Sequence, residues 1–200
     1  MSFPPRLAIA SRNPHKLREL GRICADWPVR WVTVKTHEGE WPNVDEPHET
    51  YRENALLKAR EVAVALGVPA IADDSGLEVD ALGGGPGPRS ARFAGETATD
   101  AQNLAKLVEE IAGVAPERRT ARYRCVAAIA WPDGPELVAE GVCEGAMVPR
   151  PRGLGGFGYD PAFVPAGSDR TMAELADEEK DAISHRGRAF RALRALLAAG

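Results

Sequence analysis

Cysteine is scarce in this 200-residue chain, and its three copies follow no pattern. Cys24, Cys125 and Cys143 are odd in number, far apart, and include no C-x-x-C pair. This spacing argues against a disulfide framework and against a zinc site. We therefore expect three free thiols in a protein of a reducing compartment.

Long hydrophobic runs are also missing. The apolar run VAAIAW at 126–131 is far shorter than the roughly 20 residues of a membrane-spanning helix. The amino terminus does not show a basic segment followed by a long apolar one. A formal net charge of −4 disfavours non-specific binding to nucleic acid. We expect a cytoplasmic enzyme or binding protein with a small-molecule ligand, and no nucleic-acid or membrane partner.

Several common catalytic signatures do not occur in the sequence. It contains no G-x-x-x-x-G-K-[ST], no G-x-S-x-G and no H-E-x-x-H. A formal G-x-G-x-x-G is present at Gly153, Gly155 and Gly158, but Pro161 and a strand-like AFV follow where a dinucleotide-binding motif needs a helix. The three absent motifs exclude the commonest phosphate-loop, serine-hydrolase and zinc-protease sites. The missing helix excludes a dinucleotide-binding site.

What the sequence does contain is an alternation of short apolar runs with segments of helical period, which is typical of an α/β protein. Thr50 followed by Glu53 predicts a capping box for the second helix, and Gly67 predicts its end. Two runs around PDGP predict an antiparallel hairpin, so we expect a mixed sheet. The predicted strands are 6–11, 29–34, 69–72, 77–82, 121–131, 136–148 and a short one after 161, and the helical segments are 16–26, 51–66, 100–111 and 171–199.

The first polar segment, SRNPHK, follows the first predicted strand. In open α/β sheets, ligands bind beyond the carboxyl ends of the strands, where a helix N-terminus favours anions. Ser11, Asn13 and Lys16 would therefore suit a phosphate group. The alternative interpretation is a surface turn with a helix cap.

The second polar segment places Asp73, Asp74 and Ser75 in a predicted turn between two strands. Two carboxylates three to four ångströms apart repel by about 4 kcal/mol at an effective dielectric near 20. They would therefore need a cation, a proton or good solvation. Magnesium suits such a pair because it takes one or two carboxylates plus substrate phosphates. The alternative is an Asx-turn that ends the strand.

A third carboxylate source lies upstream, in VDEPHET, where either Asp45 or Glu46 precedes the capped helix. On that helix Asn54 and Lys58 are four residues apart and so share one face. We expect this face to point toward the same site as the two aspartates.

Two later segments complete the candidate residues. The loop GLGGFGYDP presents an aromatic ring on flexible glycines, which suits stacking on a base, an interaction worth about 1–3 kcal/mol, or else a ring that fills the core. The segment KDAISHRGRAF places Lys180, His185 and Arg186 near the start of the final helix. Taken alone, such a basic patch is usually a solvated helix face.

Together the segments resemble, in order and spacing, the inosine triphosphate pyrophosphatase family, hydrolases of non-standard purine nucleoside triphosphates. The resemblance covers nearly the whole chain and implies one domain over residues 1–200, an elongated mixed sheet flanked by helices, two lobes with a substrate cleft between them, and a homodimer. It also implies magnesium-dependent cleavage of ITP, dITP or XTP to the monophosphate and pyrophosphate. The matching segments are ASRNPHKLREL, DEPHETYRENALLKA, ADDSGLEVDALGGGPGPRSARFAG, GGFGYDPAFVP and EEKDAISHRGRAF.

The same resemblance implies roles for individual residues. Asp74 matches the metal-binding carboxylate and proton acceptor, Glu46 matches the upstream metal carboxylate, and Asp73 has the weaker match. Arg186, which can only donate hydrogen bonds, is expected to read the 6-oxo group of the purine while Phe157 stacks on the ring. The implied substrate-binding residues are Ser11, Arg12, Asn13, Lys16, Ser75, Phe157, Gly158, Tyr159, Asp160, Lys180, His185 and Arg186.

Two other functions share some of these features. The related septum-inhibitor-type pyrophosphatases share the fold but should lack SHRG together with GGFGYDP, and both segments are present here. A nucleotide-binding sensor would keep the pocket without turnover, and an intact Asp74 with a metal partner argues against it.

Overall fold

The computed structural model describes residues 3–199, and six strands form one sheet in the order β2-β1-β3-β4-β5-β6. Strand β1 is parallel to both β2 and β3, whereas β5 and β6 are antiparallel. The predicted mixed sheet is therefore confirmed. The strands are β1 (Arg6–Ile9), β2 (Arg30–Val32), β3 (Ala70–Val79), β4 (Thr120–Ala130), β5 (Glu136–Met147) and β6 (Phe163–Pro165).

Five α-helices flank the sheet. The predicted hairpin is also present, because β4 and β5 are sheet neighbours joined by a loop too short for a parallel crossover. The closing helical segment divides into two helices at Ser184. The helices are α1 (Pro14–Ile23), α2 (Tyr51–Leu66), α3 (Asp100–Ile111), α4 (Asp177–Ile183) and α5 (His185–Ala199).

The chain divides into two compact units. Unit 1 contains Met1–Asp74, Cys125–Gly141 and Arg186–Gly200, and unit 2 contains Ser75–Arg124 and Val142–His185. The chain thus crosses from one unit to the other four times. Each unit has its own apolar core.

In unit 1, alternate side chains of the strands belong to two different apolar clusters. Successive residues of a strand point to opposite faces of the sheet. Thus Leu7 and Ile9 pack in a cluster with α1 and α5, whereas Ala8 and Ala10 pack in a cluster with α2. The strand residues toward α2 are mostly alanine, which leaves room for a helix close to the sheet. Other members of this alanine face are Ala70, Ala72, Ala128 and Ala130.

Thr50 caps α2 as predicted, but the full capping box is not formed, because the Glu53 carboxylate accepts from the Thr50 hydroxyl rather than from the Thr50 backbone N–H. Thr50 Oγ1 accepts a hydrogen bond of 3.2 Å from the backbone N–H of Glu53, and its hydroxyl donates to the Glu53 carboxylate at 2.5 Å. Gly67 ends the helix in the left-handed conformation, with φ of 62°, as its sequence position predicts. Local chemistry therefore sets both ends of the helix that carries Asn54 and Lys58.

The core of unit 2 surrounds the first half of β4. Tyr123 belongs to one apolar cluster with residues of β3, α3 and β6. Its ring centroid lies 4.7 Å from that of Phe163. This core supports the loop that carries Phe157, Tyr159 and Asp160. The fully buried members of the cluster include Leu77, Val79, Leu107, Ile111, Ala162 and Phe163.

The predicted turn at Asp73, Asp74 and Ser75 is wrong. These residues lie inside β3, a single ten-residue strand that replaces the two predicted strands. The strand continues because its charged side chains find partners on both faces of the sheet, as described below. Carboxylates inside an apolar run therefore do not mark its end here.

Two expectations drawn from composition can be compared with the described part of the chain. Between residues 3 and 199, no helix is both long enough and apolar enough to cross a membrane. Cys24, Cys125 and Cys143 are all buried free thiols, as their spacing predicts.

The contribution of the Thr50 cap to stability can be tested by substitution. We expect Thr50→Ala to lower the free energy of unfolding by about 1 kcal/mol, because the first turn loses a hydrogen-bond acceptor. Thr50→Ser keeps that acceptor and should remain close to wild type. Urea denaturation of the three proteins measures the difference, and equal stabilities for the Ala and Ser variants would contradict the capping role.

Candidate active site

The two adjacent aspartates of β3 point to opposite faces of the sheet, because they are neighbours in an extended strand. Asp73 meets Lys16 of α1 and Arg186 of α5, each at 3.1 Å. Asp74 meets α2, where the Asn54 amide donates to it at 3.0 Å. The strand geometry thus separates two carboxylates that are consecutive in sequence and gives each its own partners.

Asp73 is the centre of a buried network of charges in unit 1. Arg186 donates from Nε and Nη2 to Asp73 Oδ2 at 3.2 and 3.1 Å, and its Nη1 donates to Glu19. Lys16 Nζ lies 3.1 Å from the same Oδ2 and also donates to the Asp73 backbone carbonyl at 3.3 Å. Asp73 and Arg186 are each only 2% exposed. Two cations and two carboxylates therefore balance one another, and three of these four side chains, Glu19, Asp73 and Arg186, are buried.

This network fixes the ionisation of its members. Burial alone would raise the pKa of Asp73, but Lys16 and Arg186 hold it well below its usual range. Burial alone would lower the pKa of Lys16, yet Asp73 raises it above the ordinary value. The pKa of Arg186 is raised in the same way, since Asp73 and Glu19 outweigh its burial. Asp73 is therefore held as an anion with a structural role.

Asp74 has a different environment. Burial raises its pKa above the ordinary value, and the nearby cations Lys58 and Lys16 oppose that shift without reversing it. Lys58 Nζ lies 3.7 Å from Asp74 Oδ1 and donates to Glu46 Oε2 at 2.7 Å. The prediction that Asn54 and Lys58 share a face directed at this site is confirmed. A carboxylate with a raised pKa is a better proton acceptor than its neighbour Asp73.

The structure distinguishes between Asp45 and Glu46, the two candidates for the upstream carboxylate. Glu46 contacts Lys58, the same side chain that Asp74 approaches, whereas Asp45 is exposed. Two carboxylates therefore converge on one cation. Among residues 3–199, no group of three or more His, Cys, Asp or Glu could hold a metal by itself. Two oxygen ligands nevertheless fit magnesium, which completes its shell with phosphates and water.

The amino-terminal segment forms the cap of α1. Asn13 Oδ1 accepts from the backbone N–H groups of His15 and Lys16 at 2.8 and 3.2 Å, and Ser11 Oγ accepts from Asn13 N at 3.2 Å. The Arg12 guanidinium donates to the backbone carbonyl of Trp41 at 2.7 Å. The helix-cap interpretation is therefore confirmed, and binding of phosphate by the same side chains remains a prediction.

In unit 2, the residues of the aromatic loop form a second group. Asp160 Oδ2 accepts from the Phe157 backbone N–H at 2.9 Å and from Lys180 Nζ at 2.6 Å. Lys180 Nζ also lies 5.1 Å from the centroid of the Phe157 ring. The Gly158 backbone N–H donates to Asp100 at 3.1 Å, which attaches the loop to the start of α3. These contacts hold a partly buried aromatic ring in a defined place.

Two other predicted residues, Tyr159 and His185, are accounted for by their contacts. Tyr159 is buried, and its hydroxyl donates to the backbone carbonyl of Ser90 at 2.7 Å; burial raises the pKa of this phenol. His185 is buried and stacks on Tyr123, with ring centroids 4.6 Å apart and planes at 9°. Ser75 is half-buried on β3 and belongs to unit 2.

The interpretation of Lys180, His185 and Arg186 as a solvated basic face is wrong, since all three are buried. Lys180 and His185 belong to unit 2 and Arg186 to unit 1. The expectation that Arg186 reads the base remains a prediction, but its guanidinium already donates to two carboxylates. The two permanent cations can be buried because Lys180 pairs with Asp160 and Arg186 pairs with Asp73 and Glu19.

Two residues of these groups were not among the predicted ones. Glu19 is the only acidic residue of the basic helix α1, and that isolation was its one signal in the sequence. Tyr123 stands at an inward position of β4, where any large apolar residue would fit the pattern equally well. Neither the ring contact with His185 nor the hydrogen bond to Asp160 leaves a trace in local sequence.

The Asp73 network generates a stability prediction with a matched control on the same helix. We expect Arg186→Met to lower the free energy of unfolding by about 3–5 kcal/mol, because it leaves two buried carboxylates without their main cation. Arg194→Met removes an exposed pair with Asp26 and should cost less than about 1 kcal/mol. Chemical denaturation of both variants at neutral pH measures these values.

A double-mutant cycle then tests the link between Arg186 and Glu19. Glu19→Gln should be less harmful when Arg186 is already Met, with a coupling of about 0.5–3 kcal/mol. Strictly additive effects, or equal losses for Arg186→Met and Arg194→Met, would contradict the buried network.

Comparison with known proteins places the chain in a family. The chain is 52% identical over 190 residues to a dITP/XTP pyrophosphatase of Streptomyces coelicolor, covering 94% of each protein. It is 50% identical over 186 residues to a dITP/XTP pyrophosphatase of Geobacillus kaustophilus, covering 92% of this chain and 90% of the relative. The structure of a HAM1 protein from Coxiella burnetii matches with a TM-score of 0.86 and 39% identity, covering 98% of this chain and all of that one.

These relatives confirm the resemblance and the α/β fold expected from the sequence motifs. The sequence model of the Ham1 family matches residues 7–196, which is nearly the whole chain. The chain therefore belongs to the Ham1 family.

Proposed function

We propose that this protein hydrolyses non-standard purine nucleoside triphosphates, namely ITP, dITP and XTP, to the nucleoside monophosphate and pyrophosphate. The observation that carries the proposal is the contrast within β3. Asp73 is held as an anion by Lys16 and Arg186, whereas Asp74 has a raised pKa. Two carboxylates with pKa values pushed apart are characteristic of sites that perform acid–base chemistry. Relatives named dITP/XTP pyrophosphatase support the choice of substrate.

In the proposed reaction, Asp74 orients a water molecule and takes its proton. The water oxygen bonds to one phosphorus of the α–β anhydride, the bridging P–O bond breaks, and the bridging oxygen stays with the other phosphate as the nucleoside monophosphate and pyrophosphate separate. We assign Lys16, with Ser11, Arg12 and Asn13, to the triphosphate. The support for Lys16 is its ion pair with Asp73, which raises the pKa of Lys16 and keeps its positive charge secure.

A divalent metal fits the carboxylates of unit 1. We propose that Glu46 and Asp74 hold Mg²⁺, because both approach Lys58 and because magnesium needs only one or two protein carboxylates. A bound magnesium ion neutralises charge on the phosphates. Lys58 keeps the two carboxylates close together, so the chain itself supplies the convergence that a metal site requires.

We assign the residues of unit 2 to the purine base and its sugar. Phe157 is the proposed stacking surface, and Lys180 already lies near the ring, within the distance of a cation–π contact. The other residues assigned to this part of the substrate are Ser75, Gly158, Tyr159, Asp160, His185 and, from unit 1, Arg186.

We further propose that residues 1–200 act as a single domain and as a homodimer in the cytoplasm. The compartment is supported by the substrate, which belongs to the nucleotide pool, and by three free cysteines. The excess of acidic over basic residues supports a small-molecule substrate over nucleic acid.

Product analysis tests the proposed reaction directly. Purified protein with Mg²⁺ and ITP should release IMP and pyrophosphate in equal amounts, because the bond broken is the α–β anhydride. Chromatography separates IMP from IDP, and a pyrophosphate assay gives the second product. IDP and orthophosphate as the only products would contradict the proposal, and ITP binding without any product would favour the sensor.

Carboxylate substitutions test the roles assigned within unit 1. We expect Asp74→Asn to reduce kcat by about 10²–10⁴-fold, since a general base and one metal ligand are lost together. Glu46→Gln should raise the Mg²⁺ concentration for half-maximal activity by about tenfold or more, because a metal contact is lost. Asp45→Asn is the matched control, and it should behave as wild type because Asp45 is exposed.

Steady-state kinetics across a magnesium titration separates these effects. An Asp74→Asn variant with more than half of wild-type turnover would remove Asp74 from the catalytic role. Equal responses of Asp45→Asn and Glu46→Gln to magnesium would remove Glu46 from the metal site.

A further inference from the structure

The carboxylate of Asp160 connects the aromatic loop to the rest of unit 2. It is 3% exposed and accepts hydrogen bonds from three directions. Phe157 N–H and Lys180 Nζ donate to Oδ2, and the hydroxyl of Tyr123 donates to Oδ1 at 3.2 Å. The position of Asp160 therefore determines where both the Phe157 backbone and the Lys180 ammonium group lie.

The loop passes very close to this carboxylate. A Cβ atom added at Gly156 would collide with Asp160 Oδ2, and Gly156 has a positive φ of 69°. A side chain at this position is excluded on both grounds. The close approach leaves little freedom for Asp160 to shift without moving the segment that carries Phe157.

Tyr123 contacts two of the residues assigned to the base at once. Its hydroxyl holds Asp160, while its ring stacks on His185 with centroids 4.6 Å apart and an interplanar angle of 9°. Tyr123 lies on β4, and its ring also packs against Phe163. A strand residue fixed in the core thus sets the position of one residue from a loop and one from the start of a helix.

We propose that Tyr123 is a positioning residue for base recognition, which holds the Asp160–Phe157–Lys180 group through its hydroxyl and His185 through its ring. The inference rests on the proposed function, because it concerns residues assigned there to the base. Tyr123 itself is only 7% exposed, and its hydroxyl is already engaged with Asp160. It acts through the residues it holds, so it should affect substrate binding and selectivity more than the hydrolytic step.

Two substitutions separate the two contacts. Tyr123→Phe keeps the ring against His185 but removes the donor to Asp160. We expect Tyr123→Phe to raise KM for ITP by about tenfold, because this factor corresponds to the lower end of the energy of a hydrogen bond to a charged group. We expect kcat to stay within about twofold of wild type. Tyr123→Leu removes both contacts and should raise KM further and narrow the ratio of kcat/KM between ITP and ATP.

A spectroscopic readout follows the stack independently of activity. The face of the Tyr123 ring should shift the His185 Cε1 proton upfield, and the chain has only four histidines, so comparison with His185→Gln identifies its signal. We expect the shifted signal in wild type and Tyr123→Phe, and its loss in Tyr123→Leu. Tyr51→Phe is the matched control, because it removes the hydroxyl of another tyrosine that is 7% exposed.

The outcomes distinguish this inference from the proposed function. An unchanged KM in Tyr123→Phe, or a fall in kcat with KM unchanged, overturns the positioning role, as does an unshifted His185 proton in wild type. If Tyr123→Leu does not fold, the comparison of Tyr123→Phe with Tyr51→Phe and wild type decides the matter alone. If wild type releases no pyrophosphate from ITP, the proposed function fails. The affinity for ITP, measured by calorimetry, then replaces KM as the readout for the inference. Equal affinities of wild type and Tyr123→Phe for ITP would overturn the inference.

Discussion

The ionisation of Asp73 inside the molecule is the constraint on which the rest of unit 1 depends. A carboxylate taken out of water is costly unless it is paired and hydrogen-bonded. Lys16 and Arg186 both meet it, and Glu19 supplies the second negative charge that the two cations require. The four charges sum to zero. Because they come from α1, β3 and α5, the network fixes these three elements relative to one another.

The same strand gives Asp74 a separate environment on the other face of the sheet. Only one peptide unit separates a carboxylate held as an anion from one whose pKa is raised by burial. The alternation of an extended strand is sufficient for this division, and no turn or insertion is needed. Asp74 faces a helix whose first turn is capped by Thr50, so the position of Asn54 and Lys58 beneath it is set by local chemistry.

Features that depend on local sequence were predictable, and features that depend on distant partners were not. The cap at Thr50, the stop at Gly67 and the shared face of Asn54 and Lys58 all follow from spacings of three or four residues. The turn assigned to Asp73 was wrong because its cation Arg186 lies 113 residues further along the chain.

The dependence on distant partners also explains why the segment with Lys180, His185 and Arg186 was interpreted as a solvated face. The carboxylates that allow Arg186 to be buried, Asp73 and Glu19, lie far from it in the sequence. The roles of Glu19 and Tyr123 are likewise set by three-dimensional contacts. The sequence pattern predicts that Tyr123 is buried on β4, but it does not predict that the Tyr123 hydroxyl donates to Asp160.

The members of the charge network in unit 1 are synthesised far apart in time. Unit 1 is built from three separate segments of the chain, and Arg186 begins the last of them. Glu19 leaves the ribosome 167 residues before Arg186 does. Until Arg186 has been synthesised, Asp73 and Glu19 therefore lack one of the two cations that balance them. The charge network of unit 1 can be completed only after Arg186 has emerged, so assembly of this unit has to wait for a residue that is synthesised 113 positions after Asp73.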